Sequence, residues 1–169
     1  MNEQTELLQS FLTFRLGDEI FAANVSKVLE ILEIPKITRV PRSPAFMRGV
    51  INLRGSVLPV IDMRAKFGLP TVPDTVNSCI VVMNISLEAQ TIVLGAVVDD
   101  VQEVMEIEPE SIQAAPTVGT KYRTGFIEGM TKLNDQFIMI LNLDLVFSDE
   151  EAILLQEISE SDVPAEKNK

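Results

Sequence analysis

The chain repeats part of its own sequence, and this repeat limits the possible folds more than any other feature. Residues 24–31 (NVSKVLEI) align with residues 100–107 (DVQEVMEI), and residues 46–55 (FMRGVINLRG) align with residues 126–135 (FIEGMTKLND). The two matches occur in the same order and at the similar offsets of 76 and 80 residues. A repeat of this kind indicates that two parts of the chain share a fold. We therefore expect two similar units that meet near residue 78.

Short apolar segments separated by turn residues follow one another along both units. They are rich in Val, Ile and Phe, and Gly, Pro, Asn and Asp separate them, as in VLEILEI, GVINLRG, VLPVID, CIVVMNI, TIVLGAVV and FIMILNL. This pattern is typical of antiparallel β-strands. About five such strands in each unit match the size of an SH3-like barrel. Because so small a barrel leaves apolar surface uncovered, we expect the two barrels to pack together.

Helices are expected to be few and short. The segment DMRAKFG offers Asp62 as an N-cap and Gly68 as a stop, and SDEEAILLQEI begins with a capping box formed by Ser148 and Glu151. The predicted fold class is mainly β: two five-stranded SH3-like β-barrel subdomains packed together, with short helices and a C-terminal helix. The predicted bounds are about 10–77 for the first barrel, about 78–147 for the second, 148–158 for the helix, and 1–9 and 159–169 for flexible tails.

Charge and missing residue types exclude several functions. The formal net charge is -11, and a chain so acidic, without a basic stripe, repels nucleic acid. The absence of histidine removes the common catalytic triads and the commonest metal ligand. Cys79, the one cysteine, lies in an apolar run and is expected to be a buried, reduced thiol. The N-terminus is polar and no apolar stretch reaches about 20 residues, so we expect a cytoplasmic protein without membrane insertion.

One acidic cluster offers an enzymatic alternative. Asp99, Asp100 and Glu103 could hold Mg²⁺ in an acid pocket. The repeat places Asp100 opposite Asn24 at the start of a turn, where capping is the simpler role for its carboxylate. We expect neither a catalytic site, nor a metal, nor a cofactor.

One arginine interrupts the strand pattern at the tip of a hairpin. Arg54 and Gly55 stand where the second unit has Asn134 and Asp135, which tolerate the backbone of a tight turn. A solvated charge is the simplest interpretation of an arginine at a strand end. However, Glu30 occupies a strand position from which it could pair with Arg54. A paired guanidinium at the rim of an apolar groove would still present donors to a partner.

The same segments carry a resemblance to a known family. FLTFRLGDEIFAANVSKVLEI, PAFMRGVINLRGSVLPVIDMRAKFG, GAVVDDVQEV and YRTGFIEGM resemble, in order and spacing, the CheW family of chemotaxis coupling proteins. The resemblance covers residues 10–158, and RGVINLRGSVLPVIDMR is its most specific part. It implies a cytoplasmic, non-catalytic adaptor of two SH3-like barrels, associated with membrane receptor arrays. Such an adaptor joins the regulatory domain of the histidine kinase CheA to the cytoplasmic tips of methyl-accepting chemoreceptors.

The resemblance also suggests which residues contact each partner. The glutamate of the family's V-x-E-I pattern falls on Glu30, and the arginine of its NLRG motif falls on Arg54, which supports the pair inferred above. Expected contacts with the kinase, through the end of the first barrel, are Val25, Val28, Gly49 and Asn52. Expected contacts with the receptor, in a groove whose apolar wall includes Val28, are Glu30, Ile31, Arg54, Val97 and Val98.

Two further alternatives belong to the same class of binding protein. The chain could be a CheW-like adaptor of a surface-motility kinase pathway, because family members also act there. It could instead be the CheW-like part of a coupling protein that carries a receiver domain, although only a short tail follows Leu155.

Overall fold

A computed structural model describes residues 9–87, 90–114 and 125–160. Most of these residues lie in β-strands. The strands are β1 (Gln9–Leu16), β2 (Glu19–Asn24), β3 (Val28–Glu33), β4 (Met47–Leu53), β5 (Ser56–Asp62), β6 (Cys79–Leu87), β7 (Gln90–Val98), β8 (Asp100–Ile107), β9 (Ile127–Leu133) and β10 (Gln136–Leu141). The helices are α1 (Met63–Lys66) and α2 (Asp149–Glu160), with single 3-10 turns at Val25–Lys27, Pro109–Ser111 and Leu143–Leu145. The predicted mainly β class with few helices is therefore confirmed.

The ten strands form two five-stranded sheets of the same topology. One has the order β3-β6-β7-β5-β4, and the other has the order β8-β1-β2-β10-β9. Neighbouring strands are antiparallel except for one parallel pair in each sheet, β5 with β7 and β10 with β2. The strands β3, β4 and β5 thus occupy the same places as β8, β9 and β10, as the sequence repeat predicted.

The sheets do not follow the predicted division of the chain at residue 78. One sheet consists of β3 to β7, and we call it the continuous barrel; the other, the split barrel, combines β1 and β2 with β8, β9 and β10. Each sheet therefore takes a hairpin from one repeat and three strands from the other. This corrects the predicted barrel bounds. Two similar repeats offer each hairpin two equivalent docking places, and the repeat pattern does not distinguish between them.

A backbone bridge closes each sheet into a barrel. Thr38, in the chain that follows β3, exchanges two hydrogen bonds of 2.9 and 2.8 Å with Val50 on β4, at the opposite edge of the sheet. Gln113 and Met130 form the equivalent bridge in the split barrel. A Cβ atom at Gly49 would lie 2.1 Å from the carbonyl oxygen of Thr38. A glycine is therefore required for the closing chain to approach β4 this closely.

Three apolar clusters stabilise this arrangement. Two of them fill the interiors of the barrels, and the largest lies between the barrels and under α2. The split barrel encloses Phe11, Ile20, Ala22, Ile107, Ile138 and Ile140. The continuous barrel encloses Ile51, Leu58, Val60, Ile80, Val82 and Val97. The shared cluster includes Phe14, Leu16, Ile61, Met83, Leu94 and Leu155, and each such buried side chain contributes about 1.5 to 3 kcal/mol.

Both predicted helix starts are present. The Asp62 carboxylate accepts a hydrogen bond from the Ala65 amide and caps α1. Ser148 and Glu151 form the predicted capping box, with the Glu151 amide 3.1 Å from the Ser148 hydroxyl and the Ser148 amide 2.9 Å from the Glu151 carboxylate. The predicted tails lie mostly outside the described residues. Of the helices in the described ranges, none combines the length and the apolar character that crossing a membrane requires.

Candidate functional site

An open groove of about 480 Å³ lies beside the tip of the β4–β5 hairpin, and we call it the hairpin groove. Strands β3 and β7 and the last turn of α2 form its other sides. Its lining residues are Leu29, Glu30, Leu53, Arg54, Ser56, Val57, Leu58, Val82, Thr91, Ile92, Val93, Gln156, Ser159 and Glu160. Leu29, on the edge strand β3, is 53% exposed. The groove therefore combines an apolar surface with a charged rim.

The hairpin tip holds Arg54 in a left-handed backbone conformation, with φ 51°. Its counterpart Asn134 has φ 53° in the other barrel, so the two turns have the same shape. The Asn52 side chain accepts a hydrogen bond of 2.8 Å from the Gly55 amide and holds the turn. The left-handed conformation costs about 1 to 2 kcal/mol for a residue with a Cβ, and asparagine tolerates it better than arginine does. Turn formation therefore does not explain the arginine.

The predicted pair between Arg54 and Glu30 is present. Arg54 Nη2 donates a hydrogen bond to Glu30 Oε2 across the rim of the groove. The Arg54 side chain is 68% exposed and that of Glu30 is 31% exposed, so the pair is open to solvent. Exposed pairs usually contribute less than about 1 kcal/mol to stability. Glu30 thus orients the guanidinium while most of its donors remain available.

Two of the predicted receptor contacts are buried. Val97 is 6% exposed and Val98 is 1% exposed. Their side chains point to opposite faces of β7, one into the continuous barrel and one into the shared cluster. Neither can form the wall of a groove, which corrects that part of the prediction. The unbroken apolar run TIVLGAVV is typical of a strand covered on both faces, and it could have indicated this burial.

The apolar wall consists instead of residues that the sequence analysis missed as contacts. Leu29 on β3, Val57 on β5 and Val93 on β7 line the groove, and Gln156 of α2 also belongs to its lining. Leu29 adjoins Glu30 in VLEILEI, so it could have been found from its position. The contribution of α2 depends on how the helix packs, and no local pattern predicts that. Ile31 is exposed on β3 outside the groove lining.

The predicted kinase contacts differ in their accessibility. Val25 lies exposed in the 3-10 turn before β3, Val28 is half-buried, and Asn52 is exposed at the end of β4. Gly49 is buried beneath Thr38 at the bridge that closes the continuous barrel. Its role in the described structure is to permit this closure. A substitution at Gly49 therefore disturbs the closure of the barrel, and any effect on kinase binding would follow from that disturbance.

Asp99, one residue of the acidic cluster, has a structural role. Asp99 accepts hydrogen bonds from Arg64 Nε at 2.9 Å and Nη2 at 2.7 Å, and from the Gly17 amide at 2.7 Å. Burial alone would raise the pKa of Asp99, but these hydrogen bonds and the nearby positive charge outweigh it and hold the pKa below its ordinary value. Asp100 begins strand β8, so its predicted role as a cap is wrong, whereas Asn24 does cap a 3-10 turn.

The described residues offer no metal site or activated thiol. Within residues 9–87, 90–114 and 125–160, no three acidic or cysteine side chains lie close enough together to bind a metal ion. Cys79 is half-buried at the start of β6, and burial raises the pKa of its thiol. A raised pKa disfavours the reactive thiolate and agrees with a packing role.

Comparison with known proteins relates this fold and groove to one family. The family model described as the CheW-like domain matches residues 10–151. The chain belongs to the CheW family. Its members include the probable chemotaxis protein CheW of Rhizobium etli, 33% identical over 144 residues, which cover 85% of this chain and 90% of that protein. The chemotaxis protein CheW of Klebsiella aerogenes is 33% identical over 153 residues, which cover 90% of each chain.

A solved structure from the CheW family agrees in fold. The crystal structure of the scaffolding protein TtCheW from Thermoanaerobacter tengcongensis matches with a TM-score of 0.74 and 34% identity. The match covers 85% of this chain and 94% of that one. The resemblance drawn from the sequence motifs is thus confirmed, and the SH3-like character of the two barrels is consistent with this neighbour.

Proposed function

We propose that this protein is a cytoplasmic, non-catalytic adaptor that couples chemoreceptors to the histidine kinase CheA in signalling arrays. Membership of the CheW family supports this role. The observation that carries it is Arg54, which keeps a left-handed backbone that asparagine would adopt more easily and which pairs with Glu30 at the rim of the hairpin groove. An unfavourable backbone that is retained at an exposed position is a reason to expect recognition there.

The receptor tip is proposed to bind in the hairpin groove. A helical hairpin presents apolar side chains at i, i+3 and i+4, and these would pack against Leu29, Val57 and Val93. Ile31 would extend this apolar surface along β3. The Arg54 guanidinium would then set the register of the helix, because a rim charge discriminates between partners more than it adds affinity.

The kinase is proposed to bind at the end of the continuous barrel. Val25 and Asn52 are exposed, and Val28 is half-buried. Gly49 would contribute by keeping the barrel closed, so that these residues keep their positions. The regulatory domain of CheA, itself CheW-like, would pack its barrel end against this surface.

A pull-down with separate variants tests the coupling. The tagged protein should retain CheA and a receptor together from a lysate of chemotactic cells. Val25→Lys should reduce the retained kinase about tenfold, because it places a charge in an apolar contact, and should leave direct binding to a receptor fragment unchanged. If a folded Val25→Lys variant lost binding to both CheA and the receptor fragment, the proposal of two separate binding surfaces would be wrong. Undiminished kinase binding would contradict the proposed kinase site.

A further inference from the structure

A second arginine with a left-handed backbone lies outside the proposed contacts. Among the described residues that are not glycine, Arg42, Arg54, Asn134 and Asp135 have positive φ. Asparagine and aspartate tolerate this conformation, but arginine gains nothing from it. Arg42, with φ 63°, belongs to the loop between β3 and β4, and the hairpin groove does not include it.

The loop around Arg42 forms a small basic cavity of about 370 Å³, which we call the arginine pocket. Its lining residues are Arg39, Val40, Pro41, Arg42, Ser43, Pro44, Ala45, Met47 and Arg48. Three arginines and several apolar residues thus line the pocket, and no Asp or Glu belongs to the lining. The pocket suits an anionic group that is attached to a short apolar stem.

Two of the three arginines are available to a ligand. Arg48 binds Asp74, with its two terminal nitrogens 3.2 and 2.7 Å from the carboxylate oxygens. Arg39 and Arg42 form no hydrogen bond or ion pair with any residue in the part of the chain that the structure describes. Residues 34–61 contain no Asp or Glu, although the whole chain has a net charge of -11. This loop is therefore a local positive region on an acidic protein.

The loop holds Arg42 in a defined position. The Ser43 hydroxyl donates a hydrogen bond of 2.8 Å to the Val40 carbonyl oxygen, which fixes the turn. Pro41 and Pro44 flank the turn and restrict its backbone further. A guanidinium on a rigid turn loses less conformational entropy on binding than one on a free loop.

The arginine pocket and the hairpin groove are separate surfaces. Strand β4 (Met47–Leu53) connects the loop that holds Arg42 to the turn that holds Arg54. Seven residues of strand span about 20 Å, at about 3.3 Å per residue. A ligand in the pocket therefore does not occupy the groove, and the inference does not depend on the proposed function.

We propose that the arginine pocket binds carboxylates on an acidic segment of a protein partner. The planar fork of arginine matches a carboxylate in a bidentate geometry, and the apolar lining suits the methylene stem of glutamate. Extended polyanions such as nucleic acid or an anionic membrane would meet the negative charge of the rest of the protein. One or two carboxylates fit the two available guanidinium groups better than such a surface does.

Binding of a labelled hexaglutamate peptide with blocked ends tests the proposal. Fluorescence anisotropy should detect salt-dependent binding to the full chain, and hexaglutamine should not bind. The double variant Arg39→Gln and Arg42→Asn should bind hexaglutamate about tenfold more weakly, because both free guanidinium groups are lost. Asparagine is chosen at position 42 because it tolerates the left-handed backbone conformation of this turn. Arg54→Asn, which makes the same change at the other turn, should leave the affinity within about twofold.

Several outcomes would overturn the proposal. The first is an absence of hexaglutamate binding to the parent protein, and the second is equal binding to the folded double variant. An equal loss of hexaglutamate affinity in the Arg54→Asn variant would show a diffuse electrostatic attraction instead of a defined binding site. Binding to phosphatidylglycerol vesicles without binding to hexaglutamate would assign the pocket to a membrane. Self-association that the double variant loses would assign it to the acidic helix α2 of a second copy.

Discussion

At the scale of single residues, Gly49 shows how one backbone position permits a whole barrel to close. The closing chain lies directly over it, where a Cβ atom would be 2.1 Å from the Thr38 carbonyl oxygen, and its φ of 145° strains any other residue. Gly49→Ala should therefore lower the free energy of unfolding by about 3 kcal/mol or more. Gly125→Ala is the matched control, because no atom of the described residues lies within 4 Å of its Cβ position. Urea unfolding curves that agree for the two variants would contradict this role.

The sequence predicted some individual site residues and not others, for physical reasons. Arg54 and Glu30 were found from the charge at the hairpin tip and from the motifs of the family, and the closure of the barrel brings them together. Val97 and Val98 were misplaced although their apolar run, TIVLGAVV, is typical of a strand that is covered on both faces. The contribution of Gln156 to the groove depends on the docking of α2 and has no local pattern.

At the scale of elements, one carboxylate links parts of both barrels. Asp99, between β7 and β8, binds Arg64 of α1 and the Gly17 amide in the turn between β1 and β2. Its pKa is lowered in the folded protein, because these hydrogen bonds and the Arg64 charge outweigh the cost of burial. The stabilisation is therefore fully present above the unfolded-state pKa of about 4 and is lost as the pH falls through the lower folded-state pKa.

Removal of this carboxylate should change both the stability and its dependence on pH. Asp99→Asn should lower the free energy of unfolding by about 2 kcal/mol at neutral pH, a typical value for hydrogen bonds to a partly buried charged group. The difference from the parent should shrink as the pH is lowered below about 4, where the parent begins to lose the same stabilisation. Urea unfolding at several pH values measures both effects, with the exposed Asp135→Asn as control. A difference that stays constant over this range would contradict the assignment.

At the scale of the whole molecule, the exchange of hairpins joins the two halves. The sequence predicted ten strands, their repeat and the packing of two barrels, because these depend on local periodicity and turn residues. It did not predict which hairpin joins which sheet, since β1–β2 and β6–β7 meet similar partners in either arrangement. Only the relative packing of the entire chain decides between them.

The exchange of hairpins can be tested by dividing the chain into two fragments within the exposed loop at residues 70–77. The fragments 1–74 and 75–169 each contain one hairpin and three strands that belong to different barrels. Neither fragment should unfold cooperatively alone, because each lacks partners for both sheets. The mixed fragments should recover the circular dichroism spectrum and the cooperative unfolding of the full chain. A fragment that folds alone as a monomer would support consecutive barrels instead.

The most direct test of the adaptor role measures the affinity of the Arg54→Asn variant for each partner by calorimetry. Asparagine preserves the left-handed turn and removes only the guanidinium, so the melting temperature should not fall. Binding to a helical receptor-tip fragment should weaken by about 1 to 3 kcal/mol, while binding to the CheA regulatory domain should stay unchanged. Arg42→Asn, the matched change at the other arginine turn, should alter neither affinity. Receptor binding equal to that of the parent would show that Arg54 is an ordinary solvated charge and that the hairpin groove does not recognise the receptor through it.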